Sequence, residues 1–172
     1  MQPNIPKSSD RAKTPRLRKL KKMDLNHFLM WWKDKEIISL TSGHKEESDA
    51  VLKGYFLNFF KNKKDHHFMI TLDKEAIGHI ALIHKRADTC EIQIVIGEKK
   101  HWGKGLGTMA LKKALHLAFA KFGYSKATLE VRPENIRAVK TYESCGFVKN
   151  GLKKYPNNIY QPVTLKMSTN KV

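Results

Sequence analysis

The sequence predicts one α/β domain of the α+β kind, a mixed and mostly antiparallel sheet of about six to seven strands flanked by about four helices. Three observations predict it. The chain has 172 residues, 41% of them hydrophobic, enough for one sizeable core and cramped for two. Its first half reads as strand, two helices and three consecutive strands that can pair antiparallel. Its second half alternates helix and strand, which requires a crossover and hence some parallel pairing.

Residues 1–15 are polar, basic and interrupted by proline, and are expected to form a flexible basic tail ahead of a single domain over 16–170. "RLRKL" from Arg16 alternates and predicts the first strand. "MDLNHFLMWWKD" predicts a helix with Asp24 as N-cap and a stripe of Leu25, Phe28, Leu29 and Trp32. A second helix is expected over Glu46 to Phe60, with Val51, Tyr55 and Phe59 on its buried face. "HHFMITLD" and "EAIGHIALIHKR" predict a hairpin turning at Asp73 to Glu75. "TCEIQIVIGEKK" alternates strictly, Glu91, Gln93 and Val95 on one side and Ile92, Ile94 and Ile96 on the other. A glycine loop then opens a helix that Gly123 ends. "KATLEVRP" is a strand stopped by Pro133, "ENIRAVKTYESCGF" a short helix closed at Gly146, and "IYQPVTLKM" a strand that Pro162 demotes to an edge or a bulge.

Composition narrows the function classes. A net charge of +17 attracts phosphate-bearing or acidic partners, but the lysines are scattered rather than gathered in a stripe, which disfavours a dedicated nucleic-acid binder. Cys90 and Cys145 stand far apart and offer neither a disulfide framework nor a zinc site. No apolar run approaches the ~18 residues of a membrane span, and the N-terminus lacks a secretory core. The expectation is a cytoplasmic protein with no membrane contact and no metal.

The chemistry concentrates in two stretches. In "HWGKGLGT" the glycines Gly103, Gly105 and Gly107 reach the start of a helix, where free N–H groups and the positive end of the helix dipole favour an anion. Lys100 and Lys104 would add mobile charge and Thr108 a hydroxyl. The spacing is neither that of a P-loop, since no Lys-Ser/Thr pair follows, nor the G-x-G-x-x-G of a dinucleotide fold. A packing turn with no ligand is the other reading. In the later helix Asn135, Ala138 and Tyr142 share a face, four residues before Gly146-Phe147.

The order E-I-x-I-x-I, W-G-K-G-L-G-T, N-x-x-A-x-x-x-Y-x-x-x-G-F resembles the GNAT superfamily of acetyl-CoA-dependent N-acetyltransferases, in the branch that holds ribosomal-protein and spermidine acetyltransferases. One departure is Trp102, which stands where the superfamily usually has Gln or Arg. The resemblance implies acetyl-CoA as cosubstrate and a primary amine, small molecule or protein N-terminus, as acceptor. Backbone N–H groups of Trp102, Gly103, Lys104, Gly105, Leu106, Gly107 and Thr108 would cradle the pyrophosphate. The pantetheine arm would run beside Ile94, Val95 and Ile96 where two parallel strands splay, with Asn135 and Ala138 alongside it. Tyr142 would protonate the leaving sulfur, and a backbone N–H near Val95 or Ile96 would meet the developing oxyanion. Glu91, on the strand running toward the acetyl site, resembles the acidic residue often found at that place in the family and is the candidate base; the plainer reading is a surface or substrate-binding carboxylate. A homodimer is compatible with the family, and the competing function is a basic ribosome- or RNA-binding module that keeps the fold without turnover.

Other residues invite plainer readings. His66 and His67 point to opposite faces of a strand and make a poor metal pair. His101 reads as a solvated loop histidine, Cys145 as a small position near a helix end, and Trp31 and Trp32 as core wedges or the border of the acceptor pocket. Glu46, Glu47 and Asp49 form the one local acidic cluster available to a polycationic acceptor.

Overall fold

A computed structural model describes residues 14–41 and 46–171. Seven strands form one sheet in the order β1-β2-β3-β4-β5-β7-β6. They are β1 (Arg16–Lys19), β2 (His66–Leu72), β3 (Glu75–Arg86), β4 (Thr89–Ile96), β5 (Lys126–Val131), β6 (Val148–Lys154) and β7 (Val163–Asn170). The helices are α1 (Leu25–Lys33), α2 (Lys35–Leu40), α3 (Asp49–Asn58), α4 (Leu106–His116), which runs into a π-helical turn over Leu117–Lys121, and α5 (Ile136–Glu143). Every neighbouring pair is antiparallel except β4 and β5. The expected tail lies outside the described residues up to residue 13, whereas Pro15 is fully buried.

Alternation along the strands sends side chains into two cores. Ile70, Ile80, Leu82, Ile92 and Leu129 face α4 and α5, where Ala110, Leu111 and Ala114 allow close packing. On the opposite face Met69 and Ala76 pack under Phe28, Trp31, Ile37 and Phe56 of α1, α2 and α3. No residue of β5, β6 or β7 joins this second core. That half of the sheet face therefore stays open, and the functional cleft lies over it.

Several expectations change. Asp24 precedes α1 but makes no capping bond from its side chain. It is buried, takes two bonds from the Arg18 guanidinium at 2.8 and 2.6 Å, and accepts from the Lys21 N–H at 2.8 Å. The first helix ends before Asp34, as expected, but a separate helix that was not expected, α2, follows, and the Asp34 carboxylate caps it by accepting from the N–H groups of Glu36 and Ile37. α3 begins at Asp49, capped by Ser48, and buries Leu52 and Phe56 while Val51 and Tyr55 are exposed. Its segment carries two apolar stripes about 100° apart, and contact with Phe28 selects the one the periodicity did not favour. β6 was not legible at all: "VKNGLKK" is exposed almost throughout, and pairing to β7 makes it a strand. That pairing also places β7 inside the sheet rather than at its edge. Pro162 stands before β7 begins and accepts from the Tyr155 N–H through its carbonyl.

His67 and His79 lie across the β2–β3 hairpin with ring nitrogens 3.2 Å apart, and the Phe59 ring stacks on both. Burial pushes their pKa values down to about 4 and about 3. A histidine that is harder to protonate when folded leaves the unfolded chain binding more protons, so stability rises with pH across that interval. Stability is therefore expected to fall as pH drops below about 6.5, the unfolded value. Thermal midpoints measured between pH 7 and 5 check this. The double variant His67→Phe/His79→Phe should show a flatter profile there, and an equally steep one would contradict the assignment.

Candidate active site

β4 and β5 pair through three positions only, Thr89 with Lys126, Cys90 with Ala127 and Glu91 with Thr128. Beyond Glu91 the two strands part. The Gly97 N–H donates to the Ile77 carbonyl at 2.9 Å, which makes Ile96 opposite Gly78 a pair whose own amide groups turn away from β3. By the two-residue repeat Ile94 does the same, so Ile94 and Ile96 present backbone groups to the gap. Val95 turns its N–H toward β3, which removes it from the expected pair of oxyanion donors. Gly97 lets this strand end close on α1: a Cβ there would stand 2.2 Å from the Trp31 ring.

The glycine loop sits at the mouth of the gap. Gly103 and Gly105 have φ of +74° and +72°, a region that glycine enters without penalty. A Cβ built on either would meet nothing within 4 Å, so both project toward open space. Met109 is the first residue of α4 to close a helical bond, to the Gly105 carbonyl, leaving the N–H groups of Leu106, Gly107 and Thr108 without intrahelical acceptors. The Trp102 N–H donates to the Lys99 carbonyl, so the cradle starts at Gly103, one residue later than expected. Lys100 is not mobile charge; it pairs with Glu75 at 2.5 Å. Lys99 pairs with Asp34 at 2.8 Å and Glu36 at 3.2 Å. These ion pairs and the Trp31 indole bond to Glu98 at 3.0 Å tie the loop to α1, α2 and the β2–β3 turn.

A cleft of about 840 Å³ joins loop, gap and open sheet face. Of the expected residues, Glu91, Ile94, Val95, Ile96, Trp102, Gly103, Gly105, Leu106, Gly107, Thr108, Asn135, Ala138 and Tyr142 line it, and Lys104 does not. Trp102 donates its indole N–H to the Ile96 carbonyl at 2.7 Å, and the Arg137 guanidinium stacks 4.2 Å from its ring centroid. In place of a flexible polar side chain, a bracket closes the outer end of the gap. Asn135 caps α5, accepting from the Ala138 N–H at 3.2 Å and donating to the Leu40 carbonyl at 3.1 Å. Tyr142 is buried apart from a surface on the cleft, its pKa pushed up to about 12 by burial. Its hydroxyl has no protein hydrogen-bond partner among the described residues. His101, expected in solvent, is 12% exposed, with Nε2 3.6 Å from Glu75.

Two carboxylates line the cleft among the described residues. Glu91 pairs with Lys85 at 2.9 Å and accepts from the Gln93 amide at 3.2 Å. Glu130, which the sequence reading missed, accepts from Tyr155 at 2.5 Å, Thr164 at 2.8 Å and Lys153 at 3.1 Å. Burial raises the Glu130 carboxyl, yet these donors outweigh it and leave it below the usual carboxylate range. Its only sequence signal was an acidic residue alternating with Leu129 and Val131 on a strand; two of its three partners come from β6 and the loop after it. Neither Glu46 nor Asp49 reaches the cleft: they pair with Lys35 and Lys33.

Residues 16–148 match the family model described as an acetyltransferase (GNAT) domain. The chain belongs to this acetyltransferase family. Membership makes it an N-acetyltransferase with acetyl-CoA as donor. A spermidine N(1)-acetyltransferase of Vibrio cholerae is 30% identical over 141 residues, covering 78% of this chain and 79% of that one. Its Escherichia coli K12 counterpart is 27% identical, covering 81% and 76%. A crystal structure of spermidine N-acetyltransferase from Vibrio cholerae with CoA and spermine superposes with a TM-score of 0.79 at 28% identity, covering 91% and 95%. An aminoglycoside acetyltransferase with coenzyme A and kanamycin, 20% identical with a TM-score of 0.78 over 92% and 95%, shares the fold.

The donor set fits an acetyltransferase's coenzyme A: unpaired amides at a helix start, open space above two glycines, and free strand amides leading inward. Gly105→Ala in this acetyltransferase places a Cβ in that space on a left-handed residue that costs about 1–2 kcal/mol. Acetyl-CoA affinity by isothermal titration is expected to fall about tenfold; unchanged affinity would contradict the cradle.

Proposed function

We propose that the chain transfers an acetyl group directly from acetyl-CoA to a primary amine that enters over the open sheet face. The observation that carries this reading is the gap between β4 and β5, with the glycine loop at one end and the unpartnered Tyr142 hydroxyl facing it. The bound coenzyme supplies an activated thioester; the chain supplies position, dipoles and protons. N–H groups from Gly103 to Thr108 hold the pyrophosphate, with the Arg137 guanidinium beside them. Open amides of Ile94 and Ile96 hold the arm in extended form, and the Ile96 N–H meets the charge that develops on the carbonyl oxygen. Ala138 keeps the α5 face low where the arm passes. Asn135 acts through position: it caps α5 and so fixes where Tyr142 points.

Proton movement divides between two residues. An alkylammonium of pKa ~10.4 must lose a proton at a cost of about 4.6 kcal/mol at pH 7, and Glu91 lies at the point where the strands part. Glu130 is the weaker base, since three donors already hold its charge. Tyr142, whose pKa burial pushes up to about 12 and which is therefore protonated at neutral pH, gives its proton to the departing thiolate. A small molecule and a protein N-terminus both present the amine this mechanism needs.

Tyr142→Phe is expected to lower kcat about a hundredfold, the low end of general-acid effects, while acetyl-CoA affinity stays within about twofold. Glu91→Gln should remove the acidic limb of the kcat/KM profile against pH. A Tyr142→Phe enzyme with wild-type kcat, or a Glu91→Gln profile that matches the wild type, would overturn the respective role.

A further inference from the structure

The acceptor half of the cleft differs from what a polycation requires. Its carboxylates, Glu91 and Glu130, are each held by a lysine, Lys85 and Lys153. Arg132 lines the same space, so with Lys85 and Lys153 the described walls carry more positive than negative charge. A second or third ammonium would meet repulsion without a free carboxylate to offset it. On the α1–α3 side the wall is apolar and aromatic: Trp32, Phe59, Ile37, Leu40 and Val95, with the ring of His79 behind. Trp32, Phe59 and Val95 are the partly buried rim of the second core. Phe28 meets Trp32 edge-on at 5.1 Å and Phe59 edge-on at 5.7 Å, so both rings are fixed by packing behind them while part of each remains open. Burial keeps the His67 and His79 pair uncharged at neutral pH, so the described residues of this wall carry no charge.

Resting on the acetyltransferase reading, we infer that the preferred acceptor is a primary monoamine carrying an aromatic ring, the ring seated against Trp32 and Phe59 and the amine directed along the cleft toward Glu91. The chemistry of the step is unchanged: one ammonium proton leaves through Glu91, the amine nitrogen bonds to the acetyl carbon, the carbon–sulfur bond breaks as the thiolate takes the Tyr142 proton, and the second proton that the nitrogen sheds on becoming an amide restores Tyr142. Aromatic contact and shape select the body of the acceptor, and one lysine-paired carboxylate accommodates one amine rather than several.

Thiol release from acetyl-CoA tests this with 2-phenylethylamine, butylamine, spermidine and a tripeptide beginning with Phe. The kcat/KM for 2-phenylethylamine is expected to exceed those of butylamine and spermidine by about tenfold, the scale on which apolar pockets discriminate. Phe59→Leu and Trp32→Leu should each raise KM for 2-phenylethylamine about fivefold more than KM for butylamine, the size of one aromatic pair, while acetyl-CoA affinity, which also reports a folded variant, is unchanged. A tripeptide faster than 2-phenylethylamine supports the same pocket with a chain N-terminus as its source. Spermidine as the best acceptor, or variants that slow both monoamines equally, would overturn the inference while leaving the transferase reading intact. Absence of acetyl-CoA binding to the wild type would instead overturn the transferase reading itself.

Discussion

Two parallel strands that stay paired leave no backbone free, and two that separate must find other partners for their amides. β4 and β5 separate after Glu91 and Thr128, and most of the architecture follows from that constraint. A crossover is needed to make the strands parallel at all, and the crossover is α4, whose first turn lies where the gap opens. The backbone groups released along Ile94 and Ile96 are costly to leave unsatisfied in a protein interior. Placed on a cleft, they become binding capacity for an extended ligand with amides of its own.

Holding such a gap open requires rigid walls on both sides. Gly97 brings β4 against Trp31, and the Trp31–Glu98, Lys99–Asp34 and Lys100–Glu75 contacts fasten the loop to α1, α2 and the β2–β3 turn. On the other side Asn135 and Arg132 reach back from the end of β5 to the carbonyls of Leu40 and Thr41. Trp102 closes the outer end through Ile96. The lysines that the net charge of +17 suggested for phosphate are thereby partly consumed as fasteners, and the anion seat rests on backbone dipoles instead. Dipoles fixed by the fold need no reorganisation when charge arrives.

Sequence patterning predicted the sheet with its mixed pairing, the glycine loop and the helix that carries Ala138 and Tyr142, because each is a local signal: alternation, clustered glycines, helical spacing; Asn135, expected on that helix face, stands just outside it as the N-cap. The failures have one physical origin, namely dependence on a partner distant in the chain. β6 is a strand only beside β7. The buried stripe of α3 is chosen by Phe28 rather than by its own periodicity. Asp24 looked like a cap until Arg18 was folded beside it, and Glu130 has no meaning without Tyr155 and Thr164. Trp102 shows the limit in the other direction: its departure from the family pattern was visible, but its bond to Ile96 was not.

The whole arrangement requires that the amides of Ile94 and Ile96 face an empty strand edge until acetyl-CoA binds. Hydrogen exchange of residues 92–97, followed with and without acetyl-CoA, tests it most directly. Acetyl-CoA is expected to slow exchange at Ile94 and Ile96 and to leave Val95, whose N–H turns toward β3, nearly unchanged. Equal slowing at all three, or protection of Val95 alone, would contradict it.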